Sequence, residues 1–162
     1  MKTIKLAKIM ANDIVDGEGV CVSVWTQGCP HRCPGCHNPE TWDFESGKIY
    51  YQNDVIAKVI ELIGKNGIQR NLSILGGEPL CDENEEFTRT LAAAAHEVYP
   101  NCKIFCWTGY TLEELKKKYK TDILLKDIDI LIDGRFVLEN RDITLKWRGS
   151  PNQQINYKGI DF

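Results

Sequence analysis

Residues 19–36 read GVCVSVWTQGCPHRCPGC. The first nine, Gly19 to Gln27, are rich in β-branched residues and stop at Gly28, which predicts a strand, taken as the first of the chain. That strand empties into a loop carrying Cys29, Cys33 and Cys36, with His31 inside it and His37 directly after. Three thiols so close together, with no fourth, pose a chemical question that the rest of the chain must help to answer.

Outward from this stretch the chain alternates. Asn53 or Asp54 is placed to cap a helix whose apolar residues Val55, Ile56, Val59, Ile60 and Ile63 recur at helical spacing until Gly64 and Gly67 end it. NLSILGG is the next strand. Asp82 and Glu85 offer a cap for a helix with Phe87, Leu91 and Ala94 on one face, stopping before Pro100. KIFCWTG follows as a strand, Thr111 and Glu114 form a capping box for a short helix, and IDILIDG ends at Asp133 and Gly134 as a further strand. The tail is irregular, with room for one last short strand. Strands alternating with helices predict an α/β class with a mostly parallel sheet and outer helices. A closed eight-fold barrel takes about 250 residues, so a chain of 162 supplies an open partial (βα) barrel. No repeat or linker divides it, and residues 1–162 are expected to form a single domain. In such sheets ligands sit at the carboxyl ends of the strands, where the cysteine loop, GGEP, WTGY and IDGRF all fall.

A net charge of −3, with 20 basic and 23 acidic residues and no basic run, argues against nucleic acid as a direct partner. The opening MKTIKLAKIM contains no apolar run of signal-peptide length, and no stretch approaches the roughly 20 apolar residues of a membrane span. A cytoplasmic location without membrane association is therefore expected. The seven cysteines, an odd number, favour metal or redox chemistry over a disulfide scaffold. Cys21, Cys102 and Cys106 lie in or beside strand-like segments and read as small buried hydrophobes, as does Cys81 after GGEPL.

Three chemistries compete for Cys29, Cys33 and Cys36. A thioredoxin-type dithiol of Cys33 and Cys36 would open a helix, whereas HNPETWDFESG has no helical period, and it leaves Cys29 unused. A structural zinc would need His31 or His37 as its fourth ligand, and no second ligand pair is evident. An iron-sulfur cluster held by three thiolates keeps one iron open to an exogenous ligand, and an open iron can do chemistry. His96, near the end of its helix, is assigned no function, and Asp133 is either a ligand-facing residue or a turn former. The four tryptophans read as packing, with Trp42 and Trp107 nearest the site.

The C-x3-C-x2-C spacing after a strand, followed by Gly76-Gly77-Glu78-Pro79 at the end of the next, resembles the signature of radical S-adenosylmethionine (SAM) enzymes. GCPHRCPGCHNPETWDF, SILGGEPL, CWTGYTLEEL, LIDGRF and WRGSPNQ, taken in order, are similar to the activating proteins of anaerobic ribonucleotide reductase, a family of glycyl-radical-enzyme activases. The resemblance implies the radical SAM type of partial barrel and a 4Fe-4S cluster on Cys29, Cys33 and Cys36. It implies SAM held by Gly35, Cys36, His37, Gly76, Gly77 and Glu78, the glycines letting backbone approach the ligand. It further implies reductive cleavage of SAM, with hydrogen abstraction from a glycine of the large subunit of anaerobic ribonucleotide reductase, and a flavodoxin-type electron donor. The position before the last cysteine, often aromatic in the wider superfamily, is Gly35 here, so backbone at Gly35 or the His37 ring is left to meet the adenine. A formate-lyase type of activase is the alternative with the same chemistry, and a zinc or electron-transfer module is the alternative from another class. GRFVLENRD and RGSPNQQ are read as either a docking surface for the protein substrate or solvated loops.

Overall fold

The computed structural model describes residues 1–162. Its centre is one sheet of seven strands: β1 (Thr3–Asp13), β2 (Cys21–Thr26), β3 (Lys48–Tyr51), β4 (Asn71–Gly76), β5 (Ile104–Trp107), β6 (Ile130–Asp133) and β7 (Gln154–Tyr157). The order across the sheet is β3-β1-β2-β4-β5-β6-β7.

The mostly parallel partial barrel with outer helices does not form. Only β2·β4, β4·β5 and β5·β6 pair in parallel, while β1·β2, β1·β3 and β6·β7 are antiparallel. The result is an unclosed mixed sheet with four α-helices: α1 (Gln52–Ile63), α2 (Glu85–Val98), α3 (Leu112–Lys118) and the single turn α4 (Thr121–Leu124). The reason lies in the connections. A parallel pair needs a crossover of a dozen or more residues, and β1 is joined to β2 by residues 14–20 alone, so β2 must fold back along β1. The strand at Cys21–Thr26 is thus the second of the chain. β1 precedes it unforeseen, Thr3 and Lys5 alternating with the buried Ile4 and Leu6 in the period-2 pattern of a strand.

The parallel strands are buried along nearly all their length because both faces are covered, by different material. Val22, Val24, Leu72, Ile74, Ile104, Cys106 and Leu131 pack in one core with Val55, Val59 and Ile63 of α1, Phe87 and Leu91 of α2 and Leu115 of α3. The intervening residues Phe105, Ile130 and Ile132 point the other way and pack with Trp107, Trp147 and Ile155. Loop 14–18 lies over that second face, where the Ser73 hydroxyl donates to the Asp16 carbonyl and the Trp147 indole N–H to the Gly17 carbonyl. Helices therefore stand on one face of the sheet, and loops with the C-terminal segment fill the other.

Local signals act where they were readable. The capping box forms, with the Thr111 hydroxyl accepting from Glu114 N–H and the Glu114 carboxylate from Thr111 N–H. Neither α1 nor α2 has a side-chain cap: Asn84, at the N-cap of α2, instead donates its amide to the carbonyls of Gln27 and Glu78.

His96 joins α2 to the β6 approach, its Nδ1 3.0 Å from Asp127 and its Nε2 3.1 Å from Asp129. Burial pulls its pKa down, but the bonds to Asp127 and Asp129 and to the Cys102 carbonyl outweigh burial and leave it raised. A folded pKa above the unfolded value of 6.5 means that this stabilisation is complete below that value and is lost as pH rises through the folded pKa. As pH rises from 6.5 through the folded pKa, melting temperature should accordingly fall by more in the native protein than in His96→Gln, and equal falls would deny the pairing.

Candidate functional site

The ends of β2 and β4 are bound to each other by backbone. Thr26 is in register with Gly76, Gly77 N–H donates to the Thr26 carbonyl at 2.8 Å, and Glu78 N–H donates to the Gly28 carbonyl at 2.8 Å. Such closeness requires glycine. Gly76 has φ +106°, and a Cβ there would lie 2.7 Å from Thr26 N; a Cβ on Gly77 would lie 2.4 Å from the Gly28 carbonyl oxygen. On its other side the entry to the cysteine loop is held by segment 41–44. Gly28 and Cys29 N–H donate to the Thr41 and Trp42 carbonyls, and the Phe44 ring occupies the space where a Gly28 Cβ would stand.

Glu78 is fully buried and its carboxylate turns inward to four donors. Oε1 accepts from the Thr108 hydroxyl at 2.7 Å and Leu80 N–H at 2.9 Å, while Oε2 accepts from Gly109 N–H at 2.7 Å and His31 Nε2 at 2.7 Å. Removing a carboxylate from water costs several kcal/mol, and charge-assisted bonds of this number are what offset it. Glu78 therefore joins the loops after β2, β4 and β5, and its carboxylate oxygens already have their partners.

All seven cysteines are free: Cys21, Cys81, Cys102 and Cys106 are buried, and Cys29, Cys33 and Cys36 are partly exposed on one loop. Burial raises the thiol pKa of the core cysteines, to about 12 at Cys81 and Cys102. Burial also pushes Cys29 up to about 11, the charge of Glu78 adding to it while the backbone N–H groups of His31 and Arg32 oppose it. No three Cys, His, Asp or Glu side chains converge as ligands of a single ion. The two histidines beside the thiols are engaged elsewhere, His31 with Glu78 and His37 against the Phe136 ring at 5.7 Å. Cys33 and Cys36 are tied by the bond from Cys36 N–H to the Cys33 carbonyl, and Gly35, at φ +77°, packs against Leu138.

A cleft of about 470 Å³ opens beside this loop, in the size range of small-molecule sites. Cys36, His37 and Gly76 line one part of it and Trp107, Phe136 and Trp147 another, so residues of the cysteine loop and of GGEP meet in one space. Gly35, Gly77 and Glu78 do not line it. Of the two tryptophans placed nearest the site, Trp107 lines the cleft and Trp42 does not, whereas Trp25 and Trp147 do. Trp42 Nε1 is buried without a partner, an N–H donor in the segment whose carbonyl holds Cys29.

Asp16 and Arg148 also line the cleft; Asp16-Gly17 reads as a turn in the sequence, and Arg148 opens RGSPNQQ, read there as a docking surface or a solvated loop. Burial and the neighbouring Asp13 push the Asp16 carboxyl up to about 7. Asp133 serves backbone: its two carboxylate oxygens accept from Leu112 and Gln154 N–H. No helix is long and apolar enough to cross a membrane.

The residues present suit a thiolate-held iron-sulfur group. Three thiols share one loop, an unpartnered indole N–H lies in the adjoining segment, and the cleft reaches the last thiol. Compared with known proteins, residues 15–156 match the family profile of a 4Fe-4S single cluster domain. The chain is 38% identical over 144 residues to the anaerobic ribonucleoside-triphosphate reductase-activating protein of Vibrio cholerae, spanning 89% of this chain and 92% of that one. The chain belongs to this family. The proteins of the same description from Escherichia coli K12 (35% identity, 90% of this chain and 93% of that one) and Enterobacteria phage T4 (34%, 91% and 90%) are similar over the same extent. The family match thus supports a 4Fe-4S cluster over a dithiol or a lone ion.

Proposed function

We propose that this chain, acting as one domain, activates an anaerobic ribonucleoside-triphosphate reductase by reductive cleavage of SAM at a 4Fe-4S cluster held by Cys29, Cys33 and Cys36. The observation that carries the reading is that the cysteine loop and GGEP share backbone hydrogen bonds at one strand end, with a single cleft reaching Cys36 and Gly76. When bound, the cluster supplies the electron that splits SAM, and the adenosyl fragment takes a hydrogen atom from a backbone glycine of the reductase.

The chain's own residues position and enclose. Gly76 presents backbone to the cleft and meets SAM through main chain, while Gly77, against the Gly28 carbonyl, and the Glu78 carboxylate hold loops together behind it. Gly35 packs against Leu138, which leaves the His37 and Phe136 rings as the aromatic surface for adenine. Trp25, Trp107 and Trp147, which also line the cleft, exclude water from it. A glycine-bearing loop of the reductase enters at this cleft, and a flavodoxin-type protein is the electron donor. Reduced chain, SAM and the reductase should together give 5'-deoxyadenosine and a glycyl-radical doublet on the reductase by electron paramagnetic resonance. A doublet on a formate-lyase but none on the reductase would overturn the choice of client.

A further inference from the structure

His31 stands between two of the three cysteines, yet its ring turns away from them into a socket. The imidazole side chain is only 5% exposed, with Nε2 2.7 Å from Glu78 Oε2, and because a carboxylate accepts only, Nε2 is the donor. The Tyr110 ring meets it edge-on at 4.5 Å between centroids. The third wall is Gly109, where a Cβ would lie 2.3 Å from His31 Cδ2. Gly109 has no left-handed backbone to explain its identity, so the space the imidazole fills is its reason for being glycine. Arg32, next in the chain, takes φ +50°, a left-handed conformation that persists only where the surroundings impose it.

We propose that His31 is a positioning residue: seated between Glu78, Gly109 and Tyr110, it fixes the loop bearing Cys29 and Cys33 against the loops after β4 and β5, and so sets where the cluster stands relative to SAM. The same carboxylate oxygen that accepts from His31 accepts from Gly109 N–H, so the anchor is shared with the loop after β5. The plug touches neither SAM nor the reacting atoms. This inference rests on the cluster-and-SAM reading above.

Three variants test it: His31→Ala empties the socket, Gly109→Ala drives a methyl group into the imidazole while sparing every cysteine, and His31→Gln keeps an N–H near the Nε2 position. In the metal-free chain, alkylation of Cys29 and Cys33 should run several-fold faster in His31→Ala and Gly109→Ala. After anaerobic reconstitution the same two should bind SAM at least tenfold more weakly and show a diminished SAM-induced change in the resonance spectrum of the reduced cluster, with His31→Gln close to native. Should His31→Ala fail to fold, Gly109→Ala carries the test. Native alkylation rates and native SAM affinity in Gly109→Ala would overturn the proposal, as would His31→Gln losing iron as completely as a Cys29 variant, since the imidazole would then be a ligand. A native protein that binds no cluster or SAM would instead sink the functional reading itself.

Discussion

Cys29→Ala, Cys33→Ala and Cys36→Ala are each expected to reduce reconstituted iron to a small fraction of the native level and to abolish 5'-deoxyadenosine formation. Each leaves two thiols on a loop where a cluster with one open iron needs three. No other cysteine can substitute, because Cys21, Cys81, Cys102 and Cys106 are buried in the core, and burial raises the pKa of each thiol. Ser or Ala at those four positions should retain cluster and SAM cleavage and cost only stability, on the order of 1–3 kcal/mol per site from a lost or desolvated buried group. Iron, sulfide and melting temperature on the same samples decide it. One of the four abolishing the cluster without unfolding the chain would mean a fourth protein ligand and no open iron.

Gly77→Val is expected to lose iron and thermal stability together. From sequence, that valine should enter the SAM site and leave the cysteine loop intact; the structure directs it elsewhere. The added Cβ meets the Gly28 carbonyl oxygen at 2.4 Å and the Gly28 carbonyl carbon at 2.9 Å, backbone that cannot rotate aside, one residue before Cys29. The clash therefore propagates into the ligand loop rather than into the cleft. Overpacking of this kind costs about 1–3 kcal/mol or more, and here it also breaks the hydrogen bonds that hold the strand ends together. Even Gly77→Ala should show the effect in weaker form. A Gly77→Val protein with native iron content and stability but impaired SAM binding would restore the direct-contact reading.

What the sequence disclosed followed from local physics. The capping box at Thr111 and Glu114, the helical spacing of Val55, Val59 and Ile63, the β-branched run at Cys21–Thr26 and the apolar Leu72, Ile74 and Leu75 of the next strand are each decided within a few residues, and each forms. The sheet's handedness of pairing was not legible because it depends on connections. β1 keeps the period-2 pattern only over Thr3–Leu6 before Ala7 and the run Ile9-Met10-Ala11 break it, and Lys48–Tyr51 is too short to stand out from the loop before it. The cysteine loop and GGEP could be placed at strand ends from their order alone. That Glu78 would face four protein donors, that His31 would be its partner, and that Asp16, Trp147 and Arg148 would meet Cys36 across one cleft are facts of long-range assembly, which no window of sequence contains.

The claim from which the rest follows is that the three loop cysteines hold an iron-sulfur cluster. Its most direct test is elemental: iron, acid-labile sulfide and zinc measured on one anaerobically reconstituted sample of the full chain. About four irons and four sulfides per chain, with zinc at background, are predicted. Stoichiometric zinc without iron, in protein whose melting temperature rises on zinc binding, would contradict the account.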